Sequence, residues 1–142
     1  MGIERFITAQ MDSHQQVIQE LQQGYKRSCW MWFTFPQIRG LGYSPTSKYY
    51  AIQDLEELQN YTRNRYLRNN LRECIDVILS LPTDDAIWVF GEIDAKKLQS
   101  SMTLFWLIPD FRKKAQRVLD KYFNGELDQV TIDILTNNMA FG

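Results

Sequence analysis

Apolar residues recur along most of this chain at three- and four-residue steps, the period of a helix that buries one face, and no segment sustains the two-residue alternation of a strand. Ile3, Phe6 and Ile7 open the pattern, and Val17, Ile18 and Leu21 resume it after Asp12 and Ser13, either of which can cap the second segment. The Gln-rich run from Gln15 to Gln23 reads as the solvated face of that helix, with Gly24 as its stop. Ser44-Pro45 is a start signal, because Ser44 can cap and Pro45 fills the first helical position, where a missing N–H costs nothing. Ile52, Leu55 and Leu58 carry that helix to about Asn60, and a polar break follows to Asn64. Leu67, Leu71, Cys74, Ile75 and Ile78 mark the next helix, ended before Pro82. Thr83 can cap a short helix through Trp88 and Phe90 that stops at Gly91, and Asp94 can cap another that reaches Ile108. Phe111, Ala115, Val118, Leu119 and Phe123 mark a helix closed by Asn124-Gly125, and residues 128–136 allow one more.

The block SCWMWFTF at 28–35 fits either a short strand or a buried helical turn. Pro36 disfavours helix at the residue before it, so the reading taken is a short helix ending at Phe35, with a loop over 37–44 marked by Gly40 and Gly42. The fold class expected is mainly α: one compact helical domain over residues 1–142 with its core at about 3–135, a tail at 137–142 that frays, about six to eight short helices and no substantial sheet.

Composition narrows the function classes. The 142 residues are 44% hydrophobic and 23% charged, an ordinary globular balance, with 13% aromatics and four Trp that promise a well-defined core. A net charge of −1 argues against general nucleic-acid binding, which needs a basic field. One histidine, His14, and no CxxC pair argue against a His/Cys metal site, and no cofactor motif of the Walker or GxGxxG kind is present. Cys29 and Cys74 lie among apolar residues, so both are expected to be reduced and buried. With no signal-like or membrane-spanning run, the expected location is the cytoplasm and no membrane partner is expected. Oligomeric state is not legible.

Two constellations carry chemistry. Lys26 and Arg27 run into Trp30 and Trp32, and cations beside indoles suit an anionic ligand that bears a flat ring. Core packing is the commoner role of such aromatics, and cations also favour a helix C-terminus. The second is DAKKLQSSMTLF at 94–105, where Lys97 and Ser101 lie one turn apart and Ser100, Ser101 and Thr103 interrupt a core stripe. Close helix packing explains small residues there equally well.

The segments ERFITAQ at 4–10, KRSCWMWFTFPQIRGLG at 26–42, SPTSKYYAI at 44–52 and KKLQSSMTLF at 96–105, in that order, resemble the DUF1810 family of small, mostly bacterial proteins without an established activity. The resemblance runs from about Ile3 to Leu135 and implies a mainly helical domain; it carries over no catalytic role. Some members bear the label calpastatin, a disordered repetitive inhibitor that this aromatic-rich chain does not resemble. The family pattern repeats Arg27, Ser28, Gln37, Ser44, Pro45 and the run Ser100 to Thr103. It commonly has His where this chain has Cys29, so any chemistry at that position would be altered here. The function expected is binding of a small anionic ligand, phosphate-bearing or nucleotide-like, in a pocket formed by 26–44 and 97–103. Lys26, Arg27 and Lys97 would hold the anion, Trp30 or Trp32 would stack, and Gln37, Ser44, Ser100 and Ser101 would orient. If the site is enzymatic, transferase or hydrolase chemistry fits best, with Glu4 and Asp94 as candidate bases. The alternative is a non-catalytic interaction or regulatory module that uses an aromatic surface patch.

Overall fold

A computed structural model describes residues 2–137. Among them the apolar period becomes nine helices: α1 (Glu4–Gln22), α2 (Met31–Thr34), α3 (Pro45–Tyr50), α4 (Leu55–Arg63), α5 (Arg65–Ser80), α6 (Ala86–Phe90), α7 (Glu92–Phe105), α8 (Pro109–Phe123) and α9 (Gln129–Asn137). No strand is present among the described residues, only an isolated parallel bridge between Ile38 and Ile52. The count exceeds the six to eight expected, and the boundaries show why. The frayed tail expected at 137–142 falls, apart from Asn137, outside the described residues.

Local signals set most ends. Ser44 accepts the Ser47 N–H, Asp54 accepts the Glu57 N–H and Asn64 accepts the Leu67 N–H, each satisfying a donor that the first turn leaves free. Asp85 rather than Thr83 caps α6, with Thr83 accepting the Asp85 N–H. Gly24 and Gly91 take positive φ of 74° and 81°, a conformation that glycine enters without steric cost.

Three expected helices differ from the sequence reading. Asp94 does not cap α7, which starts at Glu92 after Gly91, carries Asp94 inside its first turn, and ends at Phe105 rather than Ile108. The chain does not break at Asp12 and Ser13: α1 continues, and Ser13 Oγ donates back to the Ala9 carbonyl instead of capping. The helix expected over 45–60 is split by an extended link at 51–54. Ile52 donates to the Gln37 carbonyl at 2.8 Å, and its own carbonyl accepts the Arg39 N–H at 3.0 Å. Buried Arg5 donates to the Tyr49 and Ala51 carbonyls at 2.6 and 2.8 Å and forks onto Glu57 at 2.7 and 2.9 Å. Glu57 in turn accepts the Gln53 N–H at 3.1 Å. The link thus finds partners on α1 and α4 that outweigh continued helix, and every donor of the buried guanidinium finds an acceptor.

One core joins these elements. Phe6 meets Tyr61 edge-on at 5.2 Å between ring centroids, Tyr61 lies 5.6 Å from Phe105, and Phe105 lies 5.9 Å from Phe111. Cys74 is buried there and its thiol pKa is raised by desolvation. Cys29 is exposed, contrary to expectation. Its neighbours Ser28 and Trp30 both turn inward to one carboxylate, which leaves the intervening side chain facing solvent. No described helix is long and apolar enough to cross a membrane.

Candidate functional site

The segment from Tyr25 to Gln53 is anchored to the rest of the molecule by polar contacts. The first anchor is Glu20, which lies on the apolar face of α1 beside Val17 and Leu21 and is 2% exposed. It accepts from five donors: the backbone N–H groups of Arg27 (2.6 Å) and Ser28 (3.0 Å), Trp30 Nε1 (2.9 Å), Ser28 Oγ (2.5 Å) and Gln16 Nε2 (2.8 Å). Burial by itself would raise this carboxyl; the donors, Ser28 foremost, outweigh it and hold the pKa at about 2. An acid on a core stripe is the sequence signal for such an anchor, since a charge buried there must be hydrogen-bonded.

The second anchor is Asp94 in the first turn of α7. Its Oδ2 meets Lys26 Nζ at 2.8 Å and its Oδ1 meets Lys97 Nζ at 3.0 Å. Desolvation opposes the charge, but hydrogen bonds from both lysines, and then their charges, bring the pKa below the ordinary value. Each lysine also covers an indole: Lys26 Nζ lies 5.1 Å from the Trp30 ring centroid and Lys97 Nζ 4.1 Å from that of Trp32. Trp32 donates from Nε1 to Ser47 Oγ at 3.2 Å, which ties α2 to α3.

Two clefts open beside this cluster. The smaller, of about 260 Å³, lies between the 37–42 loop and the residues around α3. Trp32, Tyr50, Gln37 and Ser47 line it together with two cations, Arg39 and Lys48, and no carboxylate does so among the described residues. The larger, of about 570 Å³, lies between the same loop and α7, and shares Gln37, Gly42 and Ser47 with the first. The shared lip depends on Gly42, because a Cβ there would stand 2.1 Å from Ser47 Oγ.

The residues singled out from sequence fall into three groups. Lys97, Gln37 and Ser100 line the larger cleft, and Trp32 and Gln37 the smaller. Lys26 touches this group only through Asp94. The others take different places. Arg27 is exposed, with its guanidinium 6.0 Å from the Tyr25 ring centroid. Trp30 is core, Ser44 is an exposed cap, and Ser101 is fully buried with no hydrogen-bond partner for its Oγ. The hydroxyl run in α7 is largely spent on folding. Ser100 Oγ donates to Asp128 Oδ2 at 3.1 Å, Thr103 Oγ1 accepts the Asp128 N–H at 2.9 Å, and Asp128 accepts the Thr131 N–H in the first turn of α9. Arg39 and Lys48 were not singled out, although each sits in a segment that was: the glycine-bounded loop and the helix begun by Ser44-Pro45. Neither candidate base, Glu4 nor Asp94, lines either cleft.

A family model described as "Protein of unknown function (DUF1810)" matches residues 1–135. Among solved structures, the chain is similar to the conserved hypothetical protein Rv1873 from Mycobacterium tuberculosis, with 39% identity and a TM-score of 0.92 over 96% of this chain and 97% of that one. No curated protein matches the chain.

Proposed function

The chain belongs to the DUF1810 family, and we propose that the cleft between the 37–42 loop and α3 binds a small anionic ligand, phosphate-bearing or nucleotide-like. The observation that supports this reading is the charge of the smaller cleft: Arg39 and Lys48 line it without a carboxylate among the described residues. Arg39 donates from Nε to the Gln53 carbonyl at 2.8 Å, which orients its guanidinium and leaves the terminal nitrogens for a ligand. Trp32 supplies an aromatic wall and Gln37 an amide. The anion-holding role foreseen for Lys26 and Arg27 thus passes to Arg39 and Lys48, with Lys97 and Ser100 on the adjoining side. Binding is the reading, in preference to transferase or hydrolase chemistry, because Asp94 is held as an anion by two lysines and makes a weak base. Thermal-shift screening with phosphometabolites tests it. A ligand that binds only the folded chain raises the melting temperature, and Arg39→Ala and Lys48→Ala should each remove that rise. A library that shifts neither wild type nor variants counts against the reading.

A second reading, a non-catalytic interaction surface, is favoured by Trp88, which is 65% exposed and pairs with Tyr25 at 6.0 Å between ring centroids. Trp88→Ala distinguishes the two, since it should leave any phosphate response unchanged.

A further inference from the structure

Resting on the anion-binding reading above, we infer that the ligand has two chemically different ends: an oxyanion head, phosphoryl or carboxylate, for the smaller cleft, and a neutral apolar body for the larger one. The two clefts share the lip formed by Gln37, Gly42 and Ser47, so one molecule can reach from one to the other. Their linings differ in kind. The smaller presents two cations and no opposing carboxylate among the described residues. The larger presents Lys96 and Lys97 against Glu92 and Asp128, so a second anion gains nothing there. What that cleft offers instead is apolar surface: Leu41, with Ile93 and Val130 left 74% and 55% exposed. Covering such surface is worth roughly 25 cal/mol per Å². Lys97 already occupies one face of Trp32 at 4.1 Å, so the body rests on the aliphatic side chains and not on that indole face. The larger cleft, about 570 Å³, is also roomier than the smaller, about 260 Å³. Ser47, at the lip, accepts from Trp32 and so keeps its own hydroxyl hydrogen for the junction of the two ends.

Titration calorimetry on the full chain tests this with paired probes: inorganic phosphate against phenyl phosphate, and acetate against benzoate. In at least one pair the aryl compound should bind tenfold or more tightly than the bare oxyanion, and the pair that shows it identifies the head group. The double substitution Ile93→Ser and Val130→Ser, at positions 74% and 55% exposed, should abolish that gain and leave inorganic phosphate binding unchanged. Lys48→Ala should weaken both members of the pair. Equal affinities within both pairs, or a gain that survives the double substitution, overturn the two-ended ligand while the anion site stands. If no oxyanion binds at all, the anion site and the two-ended ligand both fall.

Discussion

Trp30 and Trp32 stand two residues apart, each beneath a lysine, and both lysines hold the same carboxylate, Asp94. Their fates differ because of what receives the indole N–H. Trp30 donates to Glu20, an anion 2% exposed and already satisfied by backbone and side-chain donors, so the whole ring can leave water without an unpaired polar atom. Trp32 donates to Ser47, a single neutral hydroxyl on a six-residue helix at the surface, and it stays half-buried on the rim of a cleft. Nearly identical local sequence therefore yields a structural indole and an available one, and the acceptor decides which.

That contrast can be broken from either side. The largest expected effect is Trp30→Ala, about 3–5 kcal/mol of stability, the usual range for deleting a buried large aromatic; denaturant titration measures it. Glu20→Gln comes next, at about 2–3 kcal/mol, because a neutral amide cannot accept from all five donors and leaves some of them buried and unpaired. The same residue carries a pH signature. Its carboxyl lies at about 2 in the folded chain against 4.5 in the reference state, so the unfolded chain binds more protons between these values and stability rises with pH across that interval. The contribution is fully present above about 4.5 and is lost as pH falls toward about 2; Glu20→Gln should flatten that part of the profile.

On the other side of the comparison the effects are smaller and fall on the cleft. Gly42→Ala places a methyl group 2.1 Å from Ser47 Oγ and 2.5 Å from its Cβ, so α3 must shift, at about 1–3 kcal/mol, with weaker oxyanion binding in calorimetry. Trp32→Ala should cost about 1–2 kcal/mol, well below Trp30→Ala, and should reduce ligand affinity more than stability. A cost equal to that of Trp30→Ala would erase the distinction between the two rings. Asp94→Asn should cost about as much as Trp32→Ala, ~1–2 kcal/mol, because the three side chains are only 9–18% exposed and both lysines lose the anion that pairs them, although the amide oxygen can still accept one N–H. It should also leave anion binding equal or stronger, since one negative charge beside Lys97 is gone.

Helix content and most helix ends were legible in the sequence because they depend on residues a turn apart. Ser44-Pro45 starts α3, and Gly24 and Gly91 follow the ends of α1 and α6, all through contacts or dihedrals within a few positions. The burial of Trp30, Met31 and Phe35 was legible too, from aromatic density alone. The break at 51–54 was not, because it rests on Arg5, which lies 44 and 46 residues from the Tyr49 and Ala51 carbonyls that it holds. Nor was the division of labour among the polar residues. Ser100 and Thr103 carry hydroxyls that suit a ligand, yet a residue about 25 positions away, Asp128, takes them to start α9. Lys26 and Arg27 read as the cation pair because they adjoin the indoles in sequence, whereas Arg39 and Lys48 come to line one cleft once the Ile38–Ile52 bridge brings the loop beside α3. By itself the sequence determined which segments are helical and which block is buried, since periodicity and capping act locally. Only the tertiary structure decided which charges meet, because the partner that neutralises, caps or frees a polar side chain here lies tens of residues away, and chain spacing carries no record of it.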